Sequence, residues 1–176
     1  MNEVSLRPGF LSDQECDDLI SFLHIRNQEG QMIKYDGTYV YDMKKVSPFN
    51  FKIQKIRKRC KKYLLKQFKE YHLKLDYDQL VLWPPGSFKH LHTDPVNQGS
   101  NNKYVWASVF YLNDNFEGGE TIIETEAIVP QRGGMAMFNS SLLAHGVAPA
   151  NNWRVVYIAW WLGKNLSLKA LGNKKG

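Results

Sequence analysis

Cysteine is scarce. Cys16 and Cys60 are the only two among 176 residues. They lie in separate segments with apolar helical spacing, so buried free thiols in a reducing compartment are expected rather than a disulfide. Long hydrophobic runs are missing too: no stretch approaches the roughly 18 apolar residues that cross a bilayer, and MNEVSLRPGF has no apolar run behind a basic start. No membrane partner and no export are expected, which makes a cytoplasmic location the default. There is no repeat, low-complexity tract or linker. At 43% hydrophobic and 13% aromatic, the chain has too much apolar side chain to be disordered. Acidic residues are nearly absent from 51–75, and beyond His145 there is no Asp, Glu or His at all.

That acid-poor segment, FKIQKIRKRCKKYLLKQFKEYHLKL, carries ten Lys or Arg and one Glu, a local +9 in a chain of net +6. Ile53, Ile56, Cys60, Tyr63, Leu64, Phe68 and Tyr71 recur at spacings of three and four, which predicts a helix burying one face. Its lysines take the other. A solvated outer face on a supporting helix is the plainer account, and attraction to nucleic acid or an acidic partner the functional one. Upstream, FLSDQECDDLISFLHIR opens on a capping box, Ser12 with Glu15, followed by the apolar stripe Cys16, Leu19, Ile20 and Leu23. Between the two helices, a D-G turn in KYDGTYVY suggests a hairpin at a site rim, presenting Tyr39 and Tyr41.

From about residue 78 the periodicity shortens. The runs QLVLW, FKHLH, YVWASVFYL, TIIET, AIVP, MAMF, HGVA and RVVYIAWW are separated by PPG, PVNQGSNN, NFEGG and QRGG. Many short strands with such punctuation predict a sandwich, jelly roll or barrel. We expect one domain over 1–176, with 1–75 mainly helical support and 76–163 the β core. The polar loop PVNQGSNNK is expected to form a mobile lid.

FKHLHTD places His90 and His92 on one strand face and returns Asp94 to the face of His92. An imidazole and a carboxylate two residues apart can share one ion, though H-x-D alone also fits an ordinary strand end. One reading is the dinuclear zinc motif H-x-H-x-D-H, but its last position is Pro95 and the later ligands it needs are absent. The other is the two-histidine, one-carboxylate triad of non-heme Fe(II), which leaves positions open. His145 is the only histidine downstream. Nine residues on, Arg154 stands in an otherwise apolar strand. Exposed at the strand's end it is unremarkable, but pointing inward it demands a carboxylate that no nearby residue offers.

With WPPGSFKHLHTD, VFYLND, EGGETII, IVPQRGGMAMF, LLAHGV and WRVVYIAWW in this order, the chain resembles the 2-oxoglutarate and Fe(II)-dependent oxygenases of the prolyl 4-hydroxylase-like group. The resemblance implies a double-stranded β-helix, mainly β with N-terminal helices. It also implies Fe(II) on His92, Asp94 and His145, with Arg154 and the Tyr111 hydroxyl on the distal carboxylate of 2-oxoglutarate. Thr121 and Val147 would line the cosubstrate pocket and Trp160 would pack beside it. O2 is the second cosubstrate and ascorbate a supporting reductant. Where family members carry tyrosines this chain has Trp83 and Lys89, and with His90 these are the candidate substrate contacts. The implied reaction is hydroxylation of a prolyl residue in a peptide or protein, coupled to decarboxylation of 2-oxoglutarate to succinate and CO2. Alternatives are a free amino acid or other small molecule, nucleic-acid demethylation, and a jelly-roll binding module without catalysis. Repair demethylases resembling this scaffold carry a second arginine six residues after the first, where this chain has Trp160. The sequence assigns neither a substrate carbon nor an oligomeric state.

Overall fold

A computed structural model describes residues 4–45, 51–96 and 104–165. Most of the expected lid, 97–103, lies outside the described residues.

The chain runs β1 (Val4–Arg7), α1 (Asp13–Gln28), β2 (Ile33–Tyr35), β3 (Thr38–Asp42), a 3-10 turn (Met43–Lys45), α2 (Phe51–Gln67), β4 (Tyr71–Trp83), β5 (Lys89–His92), β6 (Tyr104–Tyr111), β7 (Thr121–Ile123), β8 (Glu126–Ile128), β9 (Met135–Asn139), β10 (His145–Val147) and β11 (Arg154–Asn165). All described pairings are antiparallel. They build a seven-stranded sheet, β1-β9-β6-β11-β4-β3-β2, and a four-stranded sheet, β5-β10-β7-β8. This is the jelly roll, or double-stranded β-helix, with two supporting helices. Each of the eight predicted β runs forms a strand.

Two apolar layers result. The helices contribute Cys16, Leu19, Leu23, Ile53, Ile56, Cys60 and Leu64 to a core against one face of the large sheet. Val81, Trp83, Val109, Tyr111, Ile123, Phe138 and Val156 fill a second core on its other face, toward the small sheet. Strand β11 serves both by simple alternation, sending Val155, Tyr157, Ala159 and Trp161 to the helices and Val156, Ile158 and Trp160 to the second core.

The capping box on α1 is present, Ser12 Oγ accepting from Glu15 N–H and the Glu15 carboxylate from Ser12 N–H. The basic helix is shorter than its periodicity suggested. It ends at Gln67, and Tyr71 already opens β4, so strand structure begins ahead of the expected boundary at 76. The ambiguity is physical. Leu64, Phe68 and Tyr71 keep helical spacing, while Tyr71, Leu73 and Leu75 alternate as a strand. In β4, Trp160 pairs with Tyr77 and Trp161 with Leu75, leaving Asp76 as an extra residue. This bulge turns Leu75, Leu73 and Tyr71 toward the helices while Tyr77 keeps the opposite face.

On α2, Lys52 pairs with Asp18 and Arg59 with Glu15, both on α1, so part of the basic surface ties the helices together. Arg57 turns into the protein instead, to Asp78. Cys16 and Cys60 are buried and free. No helix among the described residues is long and apolar enough to cross a membrane.

The β2–β3 hairpin turns at Asp36 and Gly37, both with positive φ (46° and 76°), as a two-residue D-G turn requires. Its register reverses the expected rim. Tyr39 and Tyr41 pair with Leu82 and Leu80 on the helix side, and Tyr41 packs edge-on against Phe22. The exposed Ile33 and Tyr35 lie opposite Val40 and Thr38 on the other face.

Candidate metal centre and cosubstrate pocket

His92 ends β5, His145 begins β10, and the two pair in register. Their rings lie with centroids 4.4 Å apart. Asp94 follows two residues beyond His92, its backbone N–H donating to Ser140 O. The three side chains each offer a ligand atom within 4.8 Å of the other two. Asp94 Oδ1 is 3.8 Å from Nε2 of His92 and 3.8 Å from Nε2 of His145. Each imidazole is turned by its far nitrogen: His92 Nδ1 lies 2.9 Å from His90 O and His145 Nδ1 3.0 Å from Leu143 O. A proton on Nδ1 donating to a backbone carbonyl leaves Nε2 bare and aimed at the shared point. Burial lowers the His145 pKa, which favours the neutral ring that a metal needs. Close approach of β5 and β10 depends on Gly146, where a Cβ would stand 2.6 Å from Lys89 O.

Arg154 does point inward. It is only 2% exposed, on the second-core face of β11. Its one hydrogen bond among the described groups runs from Nη2 to Thr121 Oγ1 at 3.2 Å, and Nε has no partner. The Tyr111 hydroxyl donates to the same Thr121 oxygen at 2.8 Å. The guanidinium lies 5.4 Å from the Trp83 ring centre and 5.7 Å from that of Tyr111. No described carboxylate pairs with it. Burial accordingly pushes the Arg154 pKa down to about 10 and raises that of Tyr111. Gly119 makes room, since a Cβ there would meet Arg154 Cδ at 3.1 Å.

Val147 pairs with both Thr121 and Lys89, beside this pocket. Trp83 is buried with its ring centre 5.4 Å from the Arg154 guanidinium, and its indole N–H has no partner among the described groups. Trp160 sits at the triad, its Nε1 donating to Asp94 Oδ2 at 2.9 Å. Sequence reasoning missed two residues. Tyr77 stacks on Trp160, with ring centroids 4.4 Å apart and 14° between planes. Asp36, at the hairpin turn, forms an ion pair with Lys89 on β5. Both contacts join distant strands, and only the D-G turn marked one of them. His90 stands outside the triad, exposed and edge-on to Phe88.

Two neutral imidazoles and one carboxylate suit a divalent ion with positions to spare, and an unpaired buried guanidinium suits the far end of a dicarboxylic acid. A metal-dependent oxygenase site within a double-stranded β-helix is the class that this combination defines. The chain belongs to the 2OG-Fe(II) oxygenase superfamily, whose model matches residues 68–162, more than half of its length. It is a 2-oxoglutarate-dependent dioxygenase, with Fe(II), 2-oxoglutarate and O2 as cofactor and cosubstrates. No curated protein matches the sequence. Among solved structures, a viral collagen prolyl hydroxylase from Paramecium bursaria Chlorella virus-1, as its 2OG complex, matches with a TM-score of 0.73 and 20% identity, over 92% of this chain and 96% of its own. A Trichoplax adhaerens prolyl hydroxylase, in complex with a peptide fragment of the hypoxia inducible factor oxygen degradation domain, matches with a TM-score of 0.75 and 16% identity, over 99% and 89%. The non-heme α-ketoglutarate-dependent epimerase of nogalamycin biosynthesis also reaches 0.75, at 9% identity over 91% and 78%. At these identities the likeness is one of fold.

Proposed function

We propose that the protein hydroxylates a prolyl residue in a peptide or protein, with His92, Asp94 and His145 holding Fe(II) and Arg154 anchoring 2-oxoglutarate. The observation that carries the reading is the buried Arg154 guanidinium, which has no carboxylate partner among the described residues and hydrogen-bonds only to the Thr121 hydroxyl that Tyr111 also shares. Bound Fe(II), with 2-oxoglutarate and O2, supplies the oxidative decarboxylation to succinate and CO2 that accompanies hydroxylation.

The chain's own residues bind and orient. Arg154 would pair with the distal carboxylate, and the Tyr111 hydroxyl beside it would be available as a second donor. Thr121 and Val147 wall the pocket, with Trp83 beneath it. The neutral imidazoles keep Nε2 free of protons by fixing Nδ1–H on the carbonyls of His90 and Leu143. The exposed Tyr35, Ile33, Phe88 and His90, on the β2–β3 hairpin and the segment entering β5 that the Lys89–Asp36 ion pair joins, are an aromatic surface suited to a flat proline ring and an extended backbone. The prolyl hydroxylases among the structural neighbours, one of them with a bound peptide, support a peptide substrate. Nucleic-acid demethylation is the weaker reading, because Trp160 stands where a second arginine is needed and is engaged with Asp94. The buried free cysteines support a reducing, cytoplasmic setting.

The test is a panel of proline-containing peptides with Fe(II), 2-oxoglutarate and ascorbate. Succinate should rise above the uncoupled rate, with one oxygen added to proline. Formaldehyde release from methylated oligonucleotides, with every proline peptide left unmodified, replaces this reading with the demethylase.

A further inference from the structure

The two oxygens of Asp94 have different surroundings. Oδ1 faces Nε2 of both histidines, whereas Oδ2 accepts the Trp160 indole N–H at 2.9 Å. Trp160 is held in turn. Its ring stacks on Tyr77, and Lys44 Nζ lies 6.0 Å from the centre of the Tyr77 ring on the far edge of this stack. The backbone places the pair deliberately: Trp160 and Tyr77 are opposite one another in the β11–β4 register, immediately before the Asp76 bulge. Without the extra residue, Tyr77 and the helix-facing Leu75 could not both keep their faces.

A carboxylate with both oxygens free can close onto a metal through one or both. Two imidazoles and one oxygen take three positions of a six-coordinate ion and leave three. A second Asp94 oxygen would take one of those, leaving two for a chelating keto acid and none for dioxygen. An indole N–H already bonded to Oδ2 opposes that rotation, because chelation would leave a half-buried donor without its acceptor.

We infer that Trp160, braced by Tyr77, is a positioning residue that holds Asp94 as a one-oxygen ligand and so keeps one coordination position open beyond the two that a chelating 2-oxoglutarate takes. This rests on the proposed iron site, and it assigns Trp160 to the metal ligand rather than to packing beside the cosubstrate.

The experiment replaces Fe(II) with Co(II), whose d–d absorption reports coordination without turnover. In Trp160→Phe the ring remains and the donor is lost. Co(II) affinity should be kept or tightened, the d–d band should change in energy and intensity, and azide should bind the Co(II)–2-oxoglutarate complex about tenfold more weakly, the scale of one lost hydrogen bond to a charged group. Tyr77→Ala, which removes the brace but keeps the indole, should shift the band in the same direction. It carries the test if Trp160→Phe fails to fold by circular dichroism. Trp153→Phe, at a half-exposed tryptophan outside the site, is the control. A d–d band and an azide affinity of the 2-oxoglutarate complex identical to wild type in the folded variants overturn the inference while leaving the iron site intact. A wild-type protein that binds neither Co(II) nor 2-oxoglutarate overturns the site itself.

Discussion

Two arginines, the partly buried Arg57 and the buried Arg154, reach opposite faces of the same sheet, and they are satisfied to very different degrees. Arg57 reaches from α2 to Asp78 with Nε and Nη2, each at 2.7 Å, and Nη2 also approaches Met43 O. Tyr157 donates to the same carboxylate from β11. Burial alone would lower the Arg57 pKa, but the hydrogen bonds and charge of Asp78 reverse this and leave it raised. Among the described residues Arg154 has one hydroxyl partner and no carboxylate, and burial lowers its pKa to about 10. A buried charge with its counterion built in is architecture; one without is a receptor for a charge that arrives. The sheet therefore separates its duties, with the helix side closed and the other open to a ligand.

Neutralising the two arginines with an apolar side chain should break the symmetry. Arg57→Met strands the Asp78 carboxylate and should cost roughly 3 to 5 kcal/mol of unfolding free energy, read from urea denaturation. Arg154→Met removes a charge that the ligand-free protein cannot pair, so its stability should match or exceed wild type by the same measurement. Equal losses in both would erase the distinction. Tyr111→Phe sharpens it on a smaller scale. With the cosubstrate anchored by Arg154, deleting the hydroxyl should weaken 2-oxoglutarate binding by about 1 to 2 kcal/mol, measured by calorimetry on the anaerobic Fe(II) protein. An unchanged affinity would confine the Tyr111 hydroxyl to its bond with Thr121.

Arg154 was legible in the sequence because an arginine alternating with Val156, Ile158 and Trp160, with no acid after His145, has few ways to be buried. The triad was legible for a similar reason: one H-x-D and a single later histidine leave little choice. Periodicity also located all eight β runs, since turn residues bracket each of them. It failed where two periods overlap, at Tyr71, and where a turn sets the phase, at Tyr39 and Tyr41. Alternation says which residues share a face but not which way that face looks; the D-G turn and the pairing with β4 decide it. Trp83 faces Arg154 across the β11–β4 register, a neighbour that no local pattern announces. The Tyr77–Trp160–Asp94 chain spans strands far apart in sequence, and no local pattern encodes such a contact.

The central claim is that Arg154 is unpaired because 2-oxoglutarate completes it. Titrating 2-oxoglutarate into the anaerobic Fe(II) protein, and following the metal-to-ligand charge-transfer band, measures this directly in wild type and Arg154→Met. The account predicts that the variant loses about two to three orders of magnitude in cosubstrate affinity while Fe(II) binding stays nearly unchanged. Wild-type affinity for 2-oxoglutarate in the variant would contradict it.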